Sequence, residues 1–303
     1  MVWMNEKEKI TKLHSAARKY CFDGLERLRV KGKPGDDGAS LLRDMLSDML
    51  KNLFCAILFQ IEKFDPDEFG KPGLNSLEVA RAKFIEAGKK AQFASNSLIA
   101  EGVLKRLDNY VCDAKDTPIA KASNEIMSFC DYVANISEND LACVEDVPYR
   151  HVLPEAIADK QFMRMVKKWD MTIEKYHPEY SELFWWPLAE TKCRDLIALN
   201  SAPFEKRGLA GIRDILRKHG VKRVLVLNYG DYSYEADLSI FDPRAQYYPQ
   251  WRVFCTSEKM DWVIYLSHES SITFGGKWLV AKVKKAYPEW KSLVYSRLFE
   301  NVD

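Results

Sequence analysis

No apolar run in this chain approaches the roughly 20 residues that a bilayer span needs. The longest candidate, Leu53-Phe-Cys-Ala-Ile-Leu-Phe-Gln-Ile61, is too short. The start, Met1-Val-Trp-Met-Asn-Glu-Lys-Glu-Lys, lacks the apolar core and small-residue cleavage site of a signal peptide. These absences lead to the expectation of a soluble, cytoplasmic protein with no membrane span. Paired cysteines are also missing. Cys21, Cys55, Cys112, Cys130, Cys143, Cys193 and Cys255 are scattered singly, with no C-x-x-C among the seven. A disulfide framework and a structural zinc site are therefore not expected, and the thiols are read as reduced.

Charge of one sign is lacking as well. The formal net charge is +1. A dominant nucleic-acid footprint needs a concentrated basic surface, so nucleic acid is not the expected partner. A local basic patch remains compatible with that balance. No phosphate-binding loop of the G-x-x-x-x-G-K-[ST] or G-x-G-x-x-G type is present, and no G-x-S-x-G elbow. Histidine is scarce, with five in 303 residues. His14, His151, His177 and His219 have no second ligand at i+3 or i+4, and no cofactor or metal is expected.

What is present divides the chain in two. In the first part, Ile10, Leu13, Ala17, Tyr20, Cys21, Leu25 and Leu28 recur at helical spacing. Leu41/Leu42 through Ile57/Leu58 form a broad second stripe. Asn75 with Glu78 suggests a capping box for a third helix. Thr117-Pro118 suggests the start of a fourth, and 137–144 a short helical turn. Val147–Pro154 reads as a connector, and further helices are expected over 155–176, 187–199 and 204–219. Gly220 is placed where a helix ends.

After Gly220 the apolar period shortens. Strands are expected at 223–228, 235–241, 251–256, 262–267 and 272–274. Their short links favour neighbours in a largely antiparallel sheet. Helices over 204–219 and 277–287 would cover one face. The expected architecture is α+β, with a helical region over 1–200 and an α+β domain of about five strands over 201–303.

Two polar clusters stand out in that domain. Asn228-Tyr-Gly-Asp231-Tyr-Ser-Tyr-Glu235-Ala-Asp237-Leu-Ser239 is superficially similar to nucleotidyltransferase sequences, where a Gly-Ser turn precedes two carboxylates one residue apart. That alternation aims both carboxylates at one metal. Here the second position is Ser239, which puts the likeness in doubt. The other cluster is Ser267-His268-Glu269-Ser-Ser, followed by the pair Gly275-Gly276. His beside a carboxylate suits acid–base chemistry. An exposed turn needs the same polar residues, and a strand-to-helix corner needs the same glycines.

Acidic residues outnumber basic ones in the strand region, and Tyr and Trp are interleaved with them. Seven of the eight tryptophans follow residue 168. Tyr232, Tyr234, Glu235, Asp237, Trp251, His268 and Glu269 would make a surface suited to a basic protein partner. The expected function is a non-enzymatic interaction protein. Its concrete form is a bacterial immunity or antitoxin-like protein that neutralises a basic toxin domain. The alternative is a metal-dependent hydrolase or nucleotide-processing enzyme, which would gather Asp231, Glu235, Asp237, His268 and Glu269 around one pocket.

Overall fold

The structure, a computed structural model, describes residues 4–30, 38–102, 118–171, 188, 193–201, 204, 210–228, 232–241, 252–267 and 271–295. The chain forms two compact units, Met1–Val147 and Pro148–Asp303. The expected boundary lay near residue 200.

The first unit is helical. Helices α1 (Glu6–Val30), α2 (Gly38–Ile61), α3 (Leu77–Gly102) and α4 (Pro118–Asn135) pack together, with a short α5 (Glu138–Ala142) against α1. The stripe expected on α1 is its buried face: Ile10, Leu13, Ala17 and Cys21 are fully inaccessible. They meet Leu53, Phe54, Ile57 and Ile61 of α2, Phe84 of α3, and Phe129 and Val133 of α4. The cap of α3 differs from the expected Asn75–Glu78 box. The Ser76 hydroxyl accepts from the Val79 amide at 3.3 Å, and Glu6 of α1 accepts from the Leu77 amide at 2.8 Å. A residue from another helix thus supplies the acceptor that a local Glu was expected to supply.

One ion pair lies inside this bundle. Arg18 and Glu62 are 1% and 2% exposed at their side chains. Arg18 Nε donates to Glu62 Oε1 at 3.1 Å, and Nη2 lies 3.1 Å from the same oxygen. His14, one turn before Arg18, sets Nε2 3.2 Å from the Ile61 carbonyl. A carbonyl only accepts, so Nε2 carries the proton. Its ring packs edge-on to Phe69 at 5.2 Å.

The second unit is built on one antiparallel sheet. Its strands are β1 (Arg150–Val152), β2 (Leu196–Asn200), β3 (Arg223–Asn228), β4 (Tyr234–Asp237), β5 (Arg252–Thr256), β6 (Val263–Ser267) and β7 (Ser271–Gly275). The order is β1-β4-β3-β5-β6-β7-β2, and every pair is antiparallel. The five expected strands are all present, and the α+β class holds. Two further strands come from before residue 200. One is β1, in the segment read as a connector. The other is β2, where a helix was expected over 187–199. Leu-Ile-Ala-Leu is ambiguous by composition. Pairing with β7 from Leu196↔Gly275 to Asn200↔Ser271 makes it a strand.

Both sheet faces are covered, whereas sequence periodicity suggested one. Val224 and Val226, with Ile264 and Phe274, are buried on the side of α7 (Ala210–Lys218) and α8 (Lys277–Ala286). Leu225, Leu227, Phe254, Val263 and Tyr265 pack on the other side against Phe162, Met165, Val166 and Trp169, contributed by α6 (Glu155–Lys168) and its C-terminal end. A strand buried on both faces loses the polar–apolar alternation, which explains the continuous run in β3. Among the described residues no helix is long and apolar enough to cross a membrane.

Removing one partner of the buried ion pair leaves an uncompensated charge in the bundle. Glu62→Ala is expected to lower stability by about 3–5 kcal/mol, while the paired change Arg18→Met with Glu62→Leu stays within about 2 kcal/mol of the parent. Urea unfolding of the three chains checks this. Burial pushes the Cys21 and Cys255 thiols upward, and Cys143 is exposed. Alkylation of the native chain at neutral pH should therefore modify Cys143 and spare Cys21 and Cys255. Peptide mass mapping reads the outcome.

Candidate functional site

The most organised polar cluster among the described residues of the second unit lies where β1, β4 and β3 run side by side. Antiparallel register puts His151 opposite Glu235, and Glu235 opposite Leu225. One step along, Asp237 stands opposite Arg223. Directly opposed residues share a face, so Arg223, Glu235, Asp237 and His151 belong to the same side of the sheet.

Glu235 is held from two directions. The Tyr149 hydroxyl donates to its Oε2 at 3.1 Å, and Arg223 Nη1 lies 3.6 Å from that oxygen. The Arg223 guanidinium also stacks on the Tyr149 ring, 3.6 Å from its centre. Tyrosine, arginine and glutamate therefore form a closed triangle, with side-chain exposures of 37% for Arg223 and 30% for Glu235. Partial exposure screens the ion pair, so the tyrosine contact and the stacking carry much of the order.

Asp237 has a different task. Its Oδ1 accepts from the Ser239 amide at 2.8 Å and caps the turn Leu238–Ile240. Its own amide donates to the Tyr149 carbonyl at 2.8 Å, which ties β1 to β4. Glu235 and Asp237 share a face, as their spacing predicts, yet each is engaged with protein groups. Among the described residues no cluster of three or more His, Cys, Asp or Glu is arranged to hold a metal.

The turn between β3 and β4 is drawn closed from its ends. Asn228 Nδ2 donates to the Tyr232 carbonyl at 2.8 Å, and the Ser233 hydroxyl accepts from the Asn228 amide at 3.1 Å. Tyr232 is partly exposed. Tyr234 is 7% exposed, and the Arg150 guanidinium sits 4.3 Å over its ring. Its ring is thus a support for β1. Asp231, Trp251, His268 and Glu269 lie outside the described residues.

The hairpin that carries His268 and Glu269 is described up to its closing pair, Ser267↔Ser271. The glycines that follow it are explained by packing. A Cβ on Gly275 would come within 2.7 Å of Leu196 and Val263 side chains. Gly276 has φ 106°, and a Cβ there would approach the Asp261 carbonyl to 2.7 Å. Its amide is already bonded to the Asp195 carbonyl at 2.9 Å. The strand-to-helix corner accounts for both residues.

Sequence reading missed Tyr149, Arg223 and His151 as members of the cluster. The alternation Tyr149-Arg-His151 was available as a strand signal, but three residues are too few for a period to register. Their partner Glu235 is remote in sequence, and only pairing brings them together.

No family model matches the chain, and neither the curated proteins nor the solved structures give a match.

A carboxylate held by a tyrosine and an arginine supports the fold. Glu235→Ala is expected to cost about 1–2 kcal/mol, and Asp237→Ala about 0.5–1 kcal/mol through the lost cap. Residues kept for chemistry often destabilise their protein, and their removal then raises stability. A higher urea midpoint for Glu235→Ala would therefore assign the carboxylate to function rather than to the fold.

Proposed function

We propose that the chain is a non-enzymatic, cytoplasmic interaction protein that grips a basic protein partner with the strand region of its second unit. The concrete form proposed is a bacterial immunity or antitoxin-like protein whose partner is a toxin domain. The observation that carries this reading is the fixed Tyr149–Arg223–Glu235 triangle. Its carboxylate is preorganised and partly exposed, and both described carboxylates of the alternative metal site already take a protein donor on one oxygen. A charge held in place before encounter loses less side-chain freedom on binding. Tyr232, three residues before Glu235 and partly exposed, offers an amphipathic ring of the type enriched at interface centres. The acidic balance of the strand region would steer a basic partner toward it.

A pull-down with the tagged full chain from its source organism tests this. The expected result is a basic protein whose affinity falls roughly tenfold with Tyr232→Ala and falls further as salt is raised. No protein above background, or a partner held equally by Tyr232→Ala and Glu235→Gln chains, would overturn the reading. Titration with Mg²⁺ and Mn²⁺ supplies the opposing arm. The melting temperature should stay constant, and a rise of several degrees would favour the hydrolase alternative through linkage.

A further inference from the structure

The helical layer formed by α7 and α8 carries a charge distribution unlike that of the strands beneath it. The two helices are antiparallel neighbours. The His219 ring, just after α7, stacks on Trp278 in the first turn of α8 at 3.6 Å and 8°. Gly211 at the other end of α7 lies against the Tyr287 hydroxyl beyond α8. Their buried sides, Ile212 and Leu216 with Leu279 and Val283, face the sheet. The exposed sides consequently form one continuous surface.

Residues 210–222 and 277–293 contain nine Lys or Arg and two carboxylates, Asp214 and Glu289. Asp214 is spent on Arg217. Among the described residues Lys218, Lys222, Lys277, Lys282, Lys284, Lys285 and Lys291 have no carboxylate within ion-pair distance. In the first unit Lys9, Lys12, Lys19, Lys51, Lys71 and Lys90 each meet an acidic side chain, while Lys7, Lys63, Lys83 and Lys89 form no ion pair among the described residues and are not gathered on two adjoining helices. Uncompensated lysines on adjoining helices repel one another, and a polyanion would relieve that repulsion.

We infer that this layer is a docking surface for the phosphate backbone of a nucleic acid, bound through lysine without regard to sequence. The +1 balance of the whole chain conceals it, and Asp195 and Asp261, whose backbones meet Gly276, border the layer at the start of α8. The exposed large apolar side chains among the described residues are Met127, Ile157, Met163 and Ile240, none of them on α7 or α8. A membrane-surface helix would expose such side chains here, so the layer does not suit a bilayer. The aromatic rings of the layer are already engaged, Trp278 on His219, Tyr287 on Phe204 and Trp290 beneath cations. Lys284 Nζ lies 4.3 Å over Trp290, and Lys291 Nζ lies 5.9 Å from the same ring. Base stacking is therefore not the contact; the ammonium groups are, with Trp290 holding two of them in position.

This surface is independent of the strand cluster, so either proposal stands if the other fails. Fluorescence anisotropy of the full chain with a labelled single strand of about 30 nucleotides, and with the matching duplex, tests it. Four lysine contacts would lower the affinity roughly 50- to 150-fold between 50 and 200 mM salt. The exposed pair Lys282→Glu with Lys285→Glu should weaken binding at least about tenfold at the lower salt, with an unchanged melting temperature. Lys90→Glu in the first unit should leave it unaltered. Absence of binding at low salt, or equal binding by the double variant, would overturn the inference. So would a polyglutamate that competes as well as the nucleic acid, which would make the surface a protein site. Vesicles rich in phosphatidylserine that bind where the oligonucleotides do not would equally overturn it.

Discussion

Burial of the central strand on both faces is the constraint on which the second unit depends. Arg223–Asn228 has no side chain past Arg223 that is free to face water. Val224 and Val226 need one helical layer, and Leu225 and Leu227 need another. The layer on the second face comes from α6, so the residues that follow 200 cannot complete this core alone. The sheet also borrows both of its edges from before residue 200. Each edge is managed in its own way. The β1 edge is only three residues long, which limits the template it offers to other strands. The β2 edge is met by the returning chain, through a bridge from Val294 to Leu199 and the Tyr295 amide bonded to Ala198.

Much of this was legible in the sequence, for reasons that particular elements make clear. The α1 stripe survives because a long amphipathic helix repeats its signal over many turns. The five strands after Gly220 survive because β-branched and aromatic runs are bounded by turns. What failed to register is short or remote. β1 has too few residues for a period, and β2 is spelled with residues that serve helices equally well. Whether Leu196–Asn200 becomes a strand is decided by β7, some seventy residues on. The cap of α3 shows the same limit, since its acceptor Glu6 belongs to another helix. Local patterns report local forces, and non-local pairing leaves no comparable trace.

The candidate site illustrates how residue type alone misleads about chemistry. Glu235 and Asp237 have the alternation that a two-carboxylate metal site requires, and the sheet does place them on one face. Their surroundings then divide them: Arg223 and Tyr149 neutralise and hold Glu235, while a turn amide takes Asp237. Each carboxylate meets its protein donors through one oxygen, Glu235 through Oε2 and Asp237 through Oδ1. These contacts make the Glu235 carboxylate a fixed, partly exposed feature of the sheet.

Lysine is concentrated on α7, α8 and the turn after them, whereas the strands and their turns carry both signs, Arg150, Arg223 and Arg252 with Glu235 and Asp237. The buried faces of the sheet exclude most charge, so the covering helices carry theirs on their outer sides. A net charge summed over the chain averages the two populations away. Reading charge along the covering layers separately recovers a surface that composition had argued against, and it does so with the same residues.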